Sequence, residues 1–144
     1  MFLSFIFPLG CANRGSLDDF SYSLNTNIVD DKNSILNKYH DIQNDFQNMI
    51  QINLDLTITS SNKLHNISVV LDKPQNNNIK AIGSESSDST IVKKGDRLHY
   101  SFDIILDQSL FETEQFLERM KLIITWYEKN KKQEIEIPIQ SKEN

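Results

Sequence analysis

Residues 50–59 read IQINLDLTIT, and this stretch decides the fold class. Ile50, Ile52, Leu54, Leu56 and Ile58 alternate without a slip with Gln51, Asn53, Asp55, Thr57 and Thr59. Successive side chains of an extended chain point to opposite faces, so this spacing predicts a strand with one buried and one wet face. A second run, RLHYSFDIIL at 97–106, repeats the pattern with Leu98, Tyr100, Phe102, Ile104 and Leu106 on one side. His99 then points outward between Leu98 and Tyr100.

Weaker copies of the same period lie on either side. Phe20, Tyr22, Leu24 and Ile28 form one, and LHNISVVLD at 64–72 places Ile67, Val69 and Leu71 on a common face behind Leu64 or His65. The SSNK turn between 60 and 63 suits a hairpin joining 50–59 to 64–72. Ile79 and Ile82 mark a short strand, SESSDS at 84–89 reads as a polar loop, and Thr90–Val92 as another short strand. KKGD at 93–96 is a turn in which Gly95 can adopt a positive φ. MKLIITWYEKN and QEIEIPI form a last hairpin, with Leu122, Ile124 and Trp126 on one face and Pro138 confined to an edge or strand end.

Two segments change period. In 30–49 Ile35, Leu36, Tyr39, Ile42 and Phe46 recur every three or four residues, which suits a short amphipathic helix capped by Asn33 or Ser34, or an extended connection. Leu110, Phe111, Phe116, Leu117 and Met120 allow a helical turn or two within 107–120. Seven or eight short strands with turns between them predict a mainly β fold, an antiparallel sandwich with one or two short helices. Its order resembles the immunoglobulin-like fold over residues 20–140, with Trp126 as a core plug and without the paired cysteines of antibody domains.

The chain has 144 residues and a formal charge of −5, enough for a single domain. Its lysines are interrupted or flanked by acids, which argues against nucleic-acid binding, where phosphates must be neutralised. The three histidines, His40, His65 and His99, have no metal spacing, and Asp18–Asp19 and Asp30–Asp31 read as solvated turns rather than cation ligands. Glu134 and Glu136 alternate with isoleucines on a wet strand face. Asn66–Ile67–Ser68 is a glycosylation sequon that matters only in a eukaryotic secretory pathway. With no GxSxG motif and only four glycines in the chain, the residues predict a non-catalytic protein without cofactors or metal.

The first ten residues, MFLSFIFPLG, carry no charge and precede Cys11, the single cysteine. The run is too short to span a bilayer, for which about 20 apolar residues are needed. It resembles a bacterial lipoprotein signal, whose box ends in leucine, a small residue and the cysteine that is lipidated. The resemblance implies cleavage after Gly10 and a lipid anchor on Cys11, although Pro8 replaces the usual leucine and no basic residue precedes the apolar run. It divides the chain into a signal-like segment at 1–10, a polar tether at 11–19, the sandwich at 20–140 and a tail at 141–144. The competing reading makes 1–10 an edge strand or core-packing arm, with Cys11 as a small buried hydrophobe. The expected protein is thus a membrane-anchored binding or accessory module on the extracytoplasmic side. It would meet an envelope or surface protein partner through 72–78, 83–89 and 107–120. The alternative is a soluble structural component that donates its apolar N-terminal segment to a partner as a strand.

Overall fold

In a computed structural model describing residues 10–39, 48–75 and 78–139, the chain forms two antiparallel sheets facing each other across one core. The elements are β1 (Gly10–Ser16), β2 (Phe20–Val29), α1 (Lys32–Lys38), β3 (Met49–Ser60), β4 (Leu64–Asp72), β5 (Ile79–Ile82), β6 (Ser86–Val92), β7 (Arg97–Asp107), α2 (Leu110–Leu117), β8 (Lys121–Glu128) and β9 (Lys131–Pro138). Sheet A has the order β1-β2-β3-β7-β5, and sheet B the order β6-β4-β8-β9.

The alternation in 50–59 explains why β3 is central. Ile52, Leu54, Leu56 and Ile58 are fully buried, and the strand pairs with β2 on one side and β7 on the other. Leu24, Phe102 and Ile104 extend the same inner face, and Ile67, Val69, Leu122, Ile124 and Ile137 meet it from sheet B. A fully buried aliphatic side chain contributes roughly 1.5–3 kcal/mol through water exclusion. The core cluster draws on both sheets and on α2 through Phe116 and Leu117.

Strands β2-β3-β7-β5 and β4-β8-β9 occupy the places of A-B-E-D and C-F-G in the immunoglobulin pattern. The chain visits the strand beside β7 before the one beside β4, so the two strands linking the sheets come in the order D-like, then C′-like. Trp126 sits on the F-like strand, whereas antibody domains carry their core tryptophan on C. It packs edge-on against Phe20 with ring centroids 4.8 Å apart, and its indole N–H donates to Asp19 at 2.9 Å.

Several expectations need correction. The pair 50–59 and 64–72 is not a hairpin: β3 and β4 lie in different sheets, and residues 61–63 cross between them. A short turn closes either connection, and the buried faces on both neighbouring strands select the crossover. The polar run 84–89 is mostly the start of β6, an edge strand whose small serines tolerate solvent on both faces. Asp19 of the acidic pair is buried, held by Trp126 and by the amide of Asn62 at 3.2 Å. Within the segment read as a tether, 11–16 is strand: β1 pairs along its whole length with β2, from Gly10 opposite Asn27 to Ser16 opposite Ser21. Gly15 permits this approach, since a Cβ there would collide with the ring of Tyr22.

The helical segment narrows to Lys32–Lys38 with Asp31 as its N-cap, accepting from the amides of Asn33 and Ser34. Residues 40–47, including His40, Ile42 and Phe46, lie outside the described residues, as do 1–9, 76–77 and 140–144. In 107–120, Ser109 and Glu112 form a capping box that starts α2. The last hairpin forms as expected. Lys129 and Asn130 both have positive φ, the geometry of a type I′ turn, and Pro138 closes the edge strand β9.

The registers give the sandwich two distinct ends. One gathers the turns at 17–19, 61–63, 93–96 and 129–130, the first three linked by hydrogen bonds from the Ser61 amide to Asp19 O and from the Gly95 amide to Ser60 O. The other carries α1, α2 and the ends of β3, β7 and β8 at Met49, Asp107 and Lys121.

Candidate functional site

The two sheets present outer faces of different character. On sheet A, polar side chains of β3 and β7 bond to one another. Asn53 donates to Asp103 at 2.7 Å and to Ser101 at 3.4 Å, Ser101 donates to Asp55 at 3.1 Å, and Thr57 Oγ1 lies 3.1 Å from His99 Nδ1. Gln51 donates to Asp103 at 3.2 Å, while Lys38 of α1 reaches to 4.0 Å from the same carboxylate. Burial opposes charge on Asp103. Hydrogen bonds from Tyr39, Asn53 and Gln51, with the charge of Lys38, outweigh it and hold the carboxyl below its ordinary range. Burial and the neighbouring carboxylate push the Tyr39 hydroxyl up in turn. This network clamps α1 and Tyr39 to the sheet, where Ile35 packs against Met49 and Ile105 in a second, smaller core.

The outer face of sheet B is interrupted. At Asn66 β4 adopts a positive φ of 50°, and its pairing with β8 slips between His65 and Ser68, a β-bulge. A hollow of about 340 Å³ opens there. Asn66 and Ser68 line it from β4, and Asp88 and Thr90 from β6. Thr125 and Tyr127 come from β8 and Lys132 from β9, so all four strands contribute. Tyr127 leaves 37% of its surface exposed at the rim, and Ile91 lies beyond the edge with 57% exposed. Among the described residues none of Asn66, Ser68, Thr90, Thr125 and Lys132 makes a side-chain hydrogen bond or ion pair, so these donors and acceptors face water. This polar, open hollow on a rigid sheet is the candidate site. It sets one carboxylate, Asp88, and one ammonium, Lys132, among hydroxyls and the side-chain amide of Asn66.

Gly10 and Cys11 are the first two residues of β1, in register with Asn27 and Thr26. That register sets them at the helix end, far along β2 from the turn at 17–19. Of the segments expected to meet a partner, 83–89 brings Asp88 and Ser89 to the hollow. Segment 107–120 instead forms α2 at the helix end, where Phe111 is 67% exposed. The described part of 72–78 follows Asp72, also at that end. His65 and His99 are exposed on opposite sheets, and among the described residues no three His, Cys, Asp or Glu side chains gather as a metal site. No described helix is long and apolar enough to cross a membrane.

Sequence reading missed Asn66, Asp88 and Tyr127 as members of one site. The available signal was the three-residue step from Leu64 to Ile67 in a strand otherwise of period two, which marks a bulge. No protein-family model matches the chain, and no curated protein matches it.

Proposed function

We propose that the protein is a lipoprotein anchored through Cys11 on the extracytoplasmic side of a cell membrane, where its sandwich acts as a non-catalytic binding or accessory module. The observation that carries this reading is the uncharged run MFLSFIFPL leading into Gly10 and Cys11. A cleaved signal of this kind leaves Cys11 as the first residue and its thiol as the acylation point. Each buried methylene of an acyl chain contributes about 0.8 kcal/mol, so several chains on one cysteine hold a domain stably. An anchor there would keep the helix end of the sandwich near the bilayer and turn the opposite end away from it. The hollow on sheet B supports the binding half of the reading, because a scaffold of paired strands presents its polar groups in fixed positions.

A second reading, a soluble assembly component whose segment 1–10 is donated to a partner, draws on the edge position of β1. An edge strand has unpaired backbone groups along one side, the requirement for strand addition. One measurement separates the two. The gene, with its native upstream sequence, is expressed in a bacterial host, and the mature N-terminus is weighed. A chain starting at Cys11 with added diacylglycerol and acyl mass is expected, and Cys11→Ser should release the protein from membranes. An intact Met1 with an unmodified Cys11 in the cytosol overturns the lipoprotein reading.

A further inference from the structure

We infer that the hollow on the outer face of sheet B is a saccharide-binding site. This inference deepens the binding-module reading and is independent of the lipid anchor. Three observations converge on it.

The first is the contrast between the two outer faces. Both are rich in hydroxyls and amides, yet on sheet A these groups satisfy one another, whereas around the hollow they point to water. A polyhydroxylated ligand exchanges such water-directed bonds one for one, because each sugar hydroxyl both donates and accepts. Asn66 offers two donors and an acceptor, while Ser68, Thr90 and Thr125 offer hydroxyls that rotate to suit.

The second is the aromatic at the rim. Tyr127 lines the hollow and is 37% exposed beside these groups, and a pyranose has an apolar C–H face of the kind that packs against an aromatic side chain. The third is charge. Asp88 and Lys132 nearly cancel, so the hollow lacks the cationic excess that a phosphate or nucleic acid demands. The bulge ties these features together. By spending a residue of β4 outside the ladder, it opens space between the rows of β4 and β8 that an unbroken sheet would fill.

The full chain, isotope-labelled, is titrated with maltotriose, cellotriose and triacetylchitotriose in turn, with inorganic phosphate as a separate arm, while backbone amide resonances are followed. Saturable shifts confined to residues 66–68, 88–90 and 125–127 with at least one sugar are expected. Tyr127→Ala should weaken that binding about tenfold. Asn66→Gly keeps the positive φ without the side chain, and Thr125→Val keeps the shape without the hydroxyl. Each should also weaken binding while leaving the remaining resonances in place. The inference is overturned if no sugar shifts these amides, if phosphate alone does, or if the three variants bind as the parent does. None of these outcomes alters the mass of the mature N-terminus, so the anchor stands or falls separately.

Discussion

Asp19 is a carboxylate placed where a solvated turn residue was expected, and its partner lies 107 positions away in Trp126. The indole fills the space beside Phe20, so its N–H is buried and must find an acceptor. Asp19 supplies one at the mouth of the β1–β2 turn and is steadied by the amide of Asn62. Trp126→Phe keeps much of the packing but strips the carboxylate of its buried donor, with an expected loss of about 1–3 kcal/mol. Urea denaturation followed by circular dichroism would measure it, and a midpoint equal to the parent's would refute the role. The pairing was illegible in the sequence because nothing local sets an aspartate in a turn apart from one aimed at a distant indole. Trp126 itself was legible as core, since it shares the period of Leu122 and Ile124.

At the scale of elements, α1 shows how a short helix stays attached. Seven residues are too few for a helix to persist alone, so its order comes from Ile35 below and from the Asp103 cluster beside it. Since the folded-state pKa of Asp103 lies below the unfolded value, its contribution is complete above the ordinary carboxylate range, near pH 4. It is lost as pH falls through the folded value. Acidification should therefore loosen α1 before the sheets, seen as falling amide protection factors at Leu36 and Tyr39. Asp103→Asn should show low protection there at all pH values and lose the acid step; an unchanged step would assign it to another group. From sequence the three-to-four spacing revealed the helix. Its N-cap was misplaced because Asn33, Ser34 and Asp31 are all good caps, and only the observed turn singles out Asp31.

For the whole molecule, the alternating runs were enough to read a two-layer sandwich, since every strand that buries one face needs a second sheet to bury it against. Which strand sits in which sheet was less legible. Residues 61–63 would serve a hairpin or a crossover equally well, and the polar β6 carries almost no apolar signal. The result is a main core shared by both sheets, so damage on either side of it should be felt throughout. Ile124→Ala, at a fully buried position in the middle of β8, should cost about 2–5 kcal/mol. Tryptophan fluorescence and far-ultraviolet circular dichroism should lose signal in one coincident transition. Separate transitions would show that the sheets unfold as independent units.

Thr26 has a consequence for mechanics. It is the register partner of Cys11, and its hydroxyl donates to the carbonyl of Ile139, so the described chain enters and leaves the sandwich beside one residue of β2. Tension applied through the N-terminal flank is thus delivered at that corner. Directed away from β2, it acts across the first rungs of the β1–β2 ladder, from Gly10 opposite Asn27, and opens them in sequence like a zip. A pull at residue 11 frees β1 while β2 to β9 keep their core. The peeled strand, at roughly 3.4 Å per residue, becomes a spacer of about 20 Å. The sheet edge is thereby the part of the fold that yields first to a pull at residue 11.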